Sequence, residues 1–463
     1  MATPSWTTIA LYIIFVGVAV WKIYQWHGHI IILYLILQIY DVESYDATFA
    51  IPRAILRLVG LRITRDDSKY NIPRLLWNIF YWFEFGNLFV VTWLELINMA
   101  QTARGGSFQD AVEIFRMMPC VGYLLLAMAK SYKIVYHRPI YENLVTELRS
   151  MWPRGEISDE EHEIVSTALR QLNYVVQGYY WCNNALLVIF LSPPLVEILK
   201  IAVGQEVPLI LPFFYWFPFD PFQRGYYEII LIAQTWHGLI TIWFMLCGDL
   251  LFCIFLSHIT TQFDLLAVRI RRLVYVPVDK QLVDTYPLEY YKGKYKNTAD
   301  VFNDMDWEEK HQKDLSEIVV RHRDLVRLSG DVEDMFSFAL LVNFFNSSII
   351  ICFCGFCCVI VEKWNEMVYK SFLTTALSQT WLLCWYGQRL LTSSKGLSDA
   401  LYNSGWYNAS KKIKSSVLIM LHRAQKNVHV TTYGFSIISL ASYTTIIKTS
   451  WSYFTLLLNI YKK

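Results

Sequence analysis

The sequence is poor in charge: only 17% of its 463 residues are Asp, Glu, Lys or Arg, whereas soluble domains carry about a quarter. Lys and Arg number 41 and Asp and Glu number 39, so the formal net charge is +2. This balance gives no basic excess that would attract nucleic acid and no acidic tail. Hydrophobic residues make up 55% of the chain, which is the composition of a membrane protein.

Motifs of common enzymes and cofactor sites are also missing. The chain contains no Walker loop, no G-x-S-x-G, no H-E-x-x-H and no dinucleotide-binding fingerprint. His237 and His258 lie about six turns apart on one predicted helix, too far to share a metal ion. The nine cysteines all fall in apolar stretches and predict neither a disulfide framework nor a metal site. We therefore expect no enzyme activity, no metal and no cofactor.

Long apolar runs are abundant. A helix crosses a bilayer with about 20 predominantly apolar residues. The chain holds seven such runs, and we number them spans 1 to 7: residues 75–99, 114–134, 173–198, 226–256, 335–361, 367–390 and 432–458. They are too long and too continuously apolar for the strands of a membrane barrel. The sequence therefore predicts an all-α, polytopic membrane protein with seven transmembrane helices.

Lys and Arg are unevenly distributed among the connections between the spans. They are dense before span 1, between spans 2 and 3, between spans 4 and 5, and between spans 6 and 7, and sparse elsewhere. Basic connections face the cytoplasm by the positive-inside rule. We therefore expect a cytoplasmic N-terminus before span 1 and an extracellular C-terminus. This orientation is opposite to that of a G-protein-coupled receptor.

Two parts of the chain lie outside this pattern of spans. Residues 1–50 form an apolar N-terminal extension that is consistent with an extra span, an interfacial helix, a signal-like segment or an error in the upstream coding prediction. Residues 51–463 show no repeat or linker and predict a single domain. Within that domain, apolar residues at helical spacing predict a cytoplasmic anchor built from helical extensions at residues 139–152, 158–173, 260–274 and 315–328.

The sequence also predicts where some of these extensions begin and end. Ser158 is followed by three acidic residues, which indicates an N-cap at the start of the helix that leads into span 3. Only about residues 279–312 look irregular.

One stripe of side chains runs along span 7. Lys448, Ser452, Leu456 and Asn459 lie four, four and three residues apart, which places them on the same face of a helix. Such a face suits a helix that meets symmetry mates around a narrow aqueous path, where an aliphatic ring closes the path by dewetting and an amide ring contacts ions. The alternative is that Lys448 snorkels and Asn459 lies at the membrane interface.

The C-terminal third resembles the signature of insect odorant receptors. The matching residues are Cys384–Gln388, Ser393 or Ser394, Ala400–Tyr402, Trp406, Arg423–Lys426 and Lys448–Leu457. Further matches lie upstream, and the resemblance covers about residues 51 to 461. It implies a seven-helix subunit with an inside N-terminus, which the Lys and Arg distribution predicts independently.

The resemblance also implies how such a subunit works. Members of this family form tetrameric ligand-gated cation channels, usually by combining an odorant-tuning receptor with a shared co-receptor. This chain resembles the tuning subunit, so we expect an odorant-gated, non-selective cation channel subunit in a heterotetramer with the co-receptor. Its expected location is the plasma membrane of olfactory sensory neuron dendrites. A gustatory-type receptor, the co-receptor itself, a non-conducting partner subunit and a transporter remain alternatives.

Site residues follow from the same resemblance combined with helical spacing. The pore is assigned to Ser452, Leu456 and Asn459, with Leu456 at the gate; the family's co-receptor has Val and Gln where this chain has Leu456 and Asn459. The ligand is expected to be a small, volatile, largely apolar molecule between spans 2, 3, 4 and 6. Its predicted contacts are Met117, Val121, Tyr180, Asn184, Gln234, His237, Leu373, Ala376 and Thr380.

Overall fold

The computed structural model describes residues 42–61, 74–155, 157–203, 205, 207–223, 225–273, 305–360 and 366–461. Within them the chain forms eleven α-helices: α1 Val42–Thr48, α2 Ala50–Leu58, α3 Arg74–Thr102, α4 Phe108–Tyr136, α5 Arg138–Met151, α6 Asp159–Ala202, α7 Tyr226–Leu273, α8 Met305–Ile360, α9 Glu366–Tyr402, α10 Lys411–Ala424 and α11 Leu440–Tyr461. The described residues contain no β-strand, apart from an isolated bridge between Thr431 and Ile437. The predicted all-α fold is confirmed.

Each of the seven predicted spans falls on a helix of its own: α3, α4, α6, α7, α8, α9 and α11 in chain order. Four of these helices are long and apolar enough to cross a membrane by length and composition: Gln109–Tyr136, Asp159–Ile201, Tyr226–Leu273 and His311–Val359. The other three are α3, α9 and α11, which have 29, 37 and 22 residues and are rich in Trp, Tyr and hydroxyl side chains. That these three also cross the membrane stays a prediction.

Span 7 begins later than the sequence predicts. Its helix starts at Leu440 rather than at residue 432. The preceding residues form a turn in which the Thr432 amide donates to the Ser436 carbonyl at 2.8 Å. Tyr433 and Gly434 have positive φ angles of 52° and 80° there, a conformation that ends regular helix. Helical spacing alone does not reveal this turn.

The three longest described helices far exceed the thickness of a bilayer. Helices α6, α7 and α8 contain 44, 48 and 56 residues. At about 1.5 Å per residue, each far exceeds a hydrocarbon core of about 30 Å. The predicted extensions are helical over residues 139–151, 159–173, 260–273 and 315–328, and residue 274 lies outside the described residues. Helix α8 already begins at Met305, so the prediction that residues 279–312 are irregular is wrong for residues 305–312. Helix-forming Glu and Lys are frequent in that stretch.

Ser158 is the N-cap of α6, as its sequence predicts. Its hydroxyl accepts a hydrogen bond from the Glu161 amide, and its own amide donates to the Glu161 carboxylate at 3.2 Å. This reciprocal pair satisfies two backbone N–H groups that the first helical turn leaves free. The capping box therefore fixes where the helix that carries span 3 begins.

The two N-terminal helices pack against α5 and α7. Thr48 Oγ1 lies 3.0 Å from His258 Nε2, and the Tyr45 hydroxyl donates to the Val145 carbonyl at 3.0 Å. Burial lowers the pKa of His258 to about 3, so its ring is neutral at neutral pH. Residues 42–50, which the predicted boundary leaves in the extension, thus belong to the packed structure. Residues 1–41 of that extension lie outside the described residues.

Helix α7 forms the centre of the molecule. It packs against α4, α6, α8 and α9, and 89% of its most apolar stretch is buried. Helix α11 lies at the edge and packs against α8 and α9. The chain therefore surrounds α7 and leaves α11 partly uncovered.

Candidate ligand-binding site

A cavity lies between α4, α6, α7 and α9, with one wall supplied by the segment that precedes α7. About 40 Å³ of this space is accessible to the centre of a water-sized sphere. Its lining is mainly aliphatic and aromatic and holds no charged side chain: Cys120, Tyr123, Leu124, Asn183, Leu186, Leu187, Phe190, Phe213, Gly238, Thr241, Ile242, Met245 and Phe372. A largely apolar pocket with a few polar groups is typical of small-molecule sites.

The four helices around this cavity carry spans 2, 3, 4 and 6, the spans that the family resemblance implies for the ligand. None of the nine predicted ligand contacts lines the cavity. Four of them stand one position from a lining residue: Val121 beside Cys120, Asn184 beside Asn183, His237 beside Gly238 and Leu373 beside Phe372. One position turns a side chain by about 100° around a helix. That the nine residues contact a ligand stays a prediction.

Two of the predicted contacts support the walls of the cavity. The Gln234 side-chain amide accepts from the Phe213 amide at 3.1 Å and donates to the Phe213 carbonyl at 3.2 Å. It thereby fixes the backbone of a residue whose ring lines the cavity. His237 Nε2 lies 2.9 Å from the Asn87 side-chain nitrogen, a contact that joins α7 to α3. Because that nitrogen belongs to an amide donor, His237 Nε2 is the acceptor.

The predicted contacts on α4 and α6 are buried between helices. Met117 and Val121 are both buried, and Met117 Sδ lies 3.7 Å from the Asn98 side-chain nitrogen of α3. Asn184 donates to the carbonyl of Tyr180, one turn earlier on the same helix, at 2.8 Å. These side chains contribute to packing next to the cavity.

The predicted contacts on α9 differ in their surroundings. Thr380 is fully buried, and its hydroxyl lies 2.8 Å from both the Ser347 hydroxyl of α8 and the Ala376 carbonyl. Ala376 is buried as well, whereas Leu373 is half-buried against the core. Thr380 therefore joins α9 to α8.

A buried charged network connects the same four helices. The Lys130 ammonium of α4 lies 2.5 Å from one oxygen of Asp249 on α7. The Tyr179 hydroxyl of α6 and the Gln379 side-chain amide of α9 each donate to the other oxygen at 2.7 Å. Pairing of Asp249 within the protein is what its place in an apolar run predicts, because an uncompensated charge there is costly. Lys130 as its partner went unrecognised, since the two residues are 119 positions apart.

The stripe on α11 faces away from the rest of the chain. Lys448, Ser452 and Asn459 are exposed, and Leu456 is 55% exposed. The opposite side of the helix packs inward: Ser450 is fully buried. Three predicted pore residues therefore share one uncovered face, as their spacing predicts, but what covers that face stays a prediction.

Solved structures with the same fold are insect olfactory receptors. The structure of the insect olfactory receptor OR5 from Machilis hrabei in complex with eugenol has a TM-score of 0.73, with 16% identity, over 90% of this chain and 99% of that chain. A second structure of that receptor gives a TM-score of 0.70 with 17% identity, over 89% of this chain and 97% of that chain. This likeness establishes the fold.

Sequence comparisons lead to the same group of proteins. Odorant receptor 85c of Drosophila melanogaster is 26% identical over 409 residues, which cover 88% of this chain and 97% of that receptor. Odorant receptor 85b of the same organism is 26% identical over 422 residues, with 87% and 96% covered. The family model described as 7tm Odorant receptor matches residues 110–451, most of the chain. The chain therefore belongs to the 7tm odorant receptor family and is a receptor rather than an enzyme.

Proposed function

We propose that this chain is the odorant-tuning subunit of a ligand-gated, non-selective cation channel. The cavity between α4, α6, α7 and α9 carries the proposal, because its aromatic and aliphatic lining suits a small, volatile, largely apolar ligand. The Machilis hrabei receptor, which shares the fold, has been solved in complex with eugenol. The proposed ligand of this chain is a small, largely apolar molecule bound in the described cavity.

The proposed pore lies along α11. Its face of Lys448, Ser452, Leu456 and Asn459 is exposed, although the helix has the length of a membrane span. Polar groups on such a helix require water or polar partners. A ring of Leu456 side chains from several subunits would exclude water from a narrow path, and Asn459 would contact ions one turn further along.

Helix α9 is the proposed link between the cavity and the pore. Phe372 of α9 lines the cavity, and the same helix packs against α11. Near Gly387, α9 approaches the segment before α11 so closely that an added Cβ would lie 2.5 Å from the Ile438 carbonyl oxygen. A ligand that displaces Phe372 would move a helix in direct contact with the pore helix.

The proposed assembly is a heterotetramer with the olfactory co-receptor, whose other subunits would cover the exposed face of α11. The chain is a multi-pass membrane protein, and the proposed location is the plasma membrane of olfactory sensory neuron dendrites. The proposed orientation follows the Lys and Arg distribution, with the N-terminus before span 1 inside and the C-terminus outside. Added epitope tags on intact cells test it: a tag after residue 463 is expected to be accessible, and a tag at residues 275–310 inaccessible.

Filling the cavity tests the proposed function. Cells expressing the chain with the co-receptor are exposed to a panel of volatiles while cation current is recorded, with cells expressing the co-receptor alone as background. A Cβ at Gly238 would make ordinary contacts of 3.5 Å with Phe213, so the larger Gly238→Leu side chain projects into the cavity. We expect this variant to need at least about tenfold more ligand, or to lose the response.

Gly178→Leu is the matched control. Gly178 lies on α6 with nothing within 4 Å of an added Cβ, so the same substitution leaves the cavity unchanged. Surface expression is measured for both variants by labelling an added extracellular epitope. Equal responses of the two variants at equal surface expression would place the ligand elsewhere, and the absence of any ligand-evoked current in the parent chain would contradict the channel function.

A further inference from the structure

Four aromatic rings form a connected wall of the cavity. The Tyr123 ring is stacked on Phe372, with centroids 5.4 Å apart and an interplanar angle of 27°. Phe372 contacts Phe190 at 5.5 Å, and Phe190 contacts Phe213 at 4.8 Å. Each ring is thus in contact with a neighbour. The Tyr123 ring is thereby packed into the cavity wall.

The polar groups that line the cavity differ in whether they already have a hydrogen-bond partner within the protein. Asn183 donates to the Tyr179 carbonyl at 2.8 Å, and the Thr241 hydroxyl donates to the His237 carbonyl at 2.7 Å. The Tyr123 hydroxyl is buried and has no hydrogen-bond partner among the described residues. The side chain as a whole is only 6% exposed. Of these three lining groups, Tyr123 is the one whose donor the protein leaves unused.

The buried carboxylate of Asp249 does not relieve this hydroxyl. The Asp249 carboxylate already receives Lys130, Tyr179 and Gln379 at 2.5 to 2.7 Å. A buried hydroxyl without an acceptor costs free energy, and a ligand oxygen that accepted its proton would remove that cost upon binding.

We propose that Tyr123 donates a hydrogen bond to an acceptor oxygen of the ligand, and thereby selects ketones, aldehydes, esters and ethers over hydrocarbons of the same shape. The absence of charged side chains from the lining disfavours ionised acids and amines, which would be left unpaired there. This inference rests on the proposed function, because it assumes that the cavity holds the ligand. It adds the chemical class of that ligand and the residue that recognises it.

Tyr123→Phe tests the inference, because it removes the hydroxyl and keeps the ring that stacks on Phe372. The probes are methyl ketones of six to ten carbons and, for each, the alkene in which a methylene group replaces the carbonyl oxygen. On cells expressing the chain with the co-receptor, we expect the half-maximal concentration for the ketone to rise about fivefold to tenfold in the variant. The half-maximal concentration for the matched alkene is expected to stay the same or fall.

Two further variants separate recognition from structure. Tyr386 also has a buried hydroxyl without a partner among the described residues, but it does not line the cavity, so Tyr386→Phe should leave both concentrations unchanged. Phe372→Leu alters the shape of the cavity wall and should shift the half-maximal concentrations for ketone and alkene by the same factor.

The outcomes distinguish this inference from the proposed function. Equal shifts for ketone and alkene in Tyr123→Phe, or a parent receptor that prefers the alkenes, would overturn the role of Tyr123 and leave the cavity as a ligand site. If Gly238→Leu also left every response unchanged, the cavity itself would be rejected, and the proposed function would fail in that part.

Discussion

Helices α7 and α11 both carry polar side chains within long apolar sequences, but they satisfy them in different ways. On α7, Gln234 bonds to the Phe213 backbone and Asp249 is paired with Lys130, both inside the chain. On α11, Lys448 and Asn459 are exposed. A helix that crosses a membrane must find partners for such groups. Helix α7 finds them in its own chain, whereas α11, as the proposed pore helix, would find them outside it.

The difference follows from how many neighbours each helix has. Helix α7 is surrounded by α4, α6, α8 and α9 and also contacts α2, α3 and α5, so its centre is almost completely buried. Helix α11 packs against α8 and α9 along one side, where Gly355 lets the Phe454 ring approach to 3.4 Å from the place of a Cβ. Its other side is free to meet other subunits. Substitutions on α7 and its partners should therefore affect folding, and substitutions on the free face of α11 should affect conduction.

The largest effect on stability is expected from Lys130→Met. The variant leaves Asp249 buried without its cation, and breaking a buried ion pair in this way costs about 3 to 5 kcal/mol. We expect a markedly lower Tm of the detergent-solubilised receptor and less receptor at the cell surface. Combining the change with Asp249→Asn, which removes the unpaired charge, should restore part of the loss.

Lys200→Met is the control for this prediction. Lys200 forms an ion pair with Glu197 at 3.0 Å, but its side chain is 44% exposed. Exposed pairs contribute about 0 to 1 kcal/mol, so the Tm should hardly change. Equal effects of the two lysine substitutions would mean that the pair of Lys130 and Asp249 is not shielded from water.

The second prediction concerns the gate on α11. If Leu456 closes an aqueous path by excluding water, Leu456→Ala should raise the ligand-independent current several-fold, because a wider constriction is easier to hydrate. Leu458→Ala is the control, since two residues turn the side chain by about 200° to the inward side of the helix. Current is compared at equal surface expression. Unchanged basal current in Leu456→Ala would remove this residue from the gate.

Sequence-based predictions differ in outcome between features of a single helix and contacts between helices. Apolar runs correctly placed a helix at each of the seven spans, because local composition and spacing determine whether a segment forms an apolar helix. Helical spacing also grouped the α11 stripe on one face, since this depends on a single helix. The turn at Gly434 was missed because it depends on backbone conformation rather than on hydropathy.

Contacts between helices could not be predicted in the same way. Which side of α6 or α7 faces the cavity depends on the rotation of each helix against its neighbours, and a change of one position turns a side chain by about 100°. The family resemblance indicates the four helices around the cavity, whereas the residues that line it depend on helix rotation: Asn183 lines the cavity and its neighbour Asn184 does not. The unused hydroxyl of Tyr123 becomes evident only when the partners of the surrounding polar groups are known.

The third prediction is a change of ion selectivity without a change of stability. Asn459 lies one turn beyond Leu456 on the exposed face of α11. Asn459→Ala should alter the relative permeability to Na⁺, K⁺ and Ca²⁺ by about twofold, because an amide that contacts ions is lost from the path. Reversal potentials under bi-ionic conditions measure this ratio, and the partner subunits' own residues will dilute the change. A ratio equal to that of Leu458→Ala would indicate that Asn459 does not contact ions.

The smallest effect on stability is expected from Lys448→Met, which makes the same chemical change as Lys130→Met on the other helix. Lys448 is exposed, so its removal should change the free energy of unfolding by no more than about 0.5 kcal/mol. If its ammonium faces the conducting path, removing that positive charge should increase the unitary cation current, because like charges repel permeating ions. The increase should shrink as ionic strength rises, since salt screens an exposed charge. An unchanged unitary current at low salt, together with an unchanged Tm, would mean that Lys448 points to the membrane interface and that the path is lined by other residues.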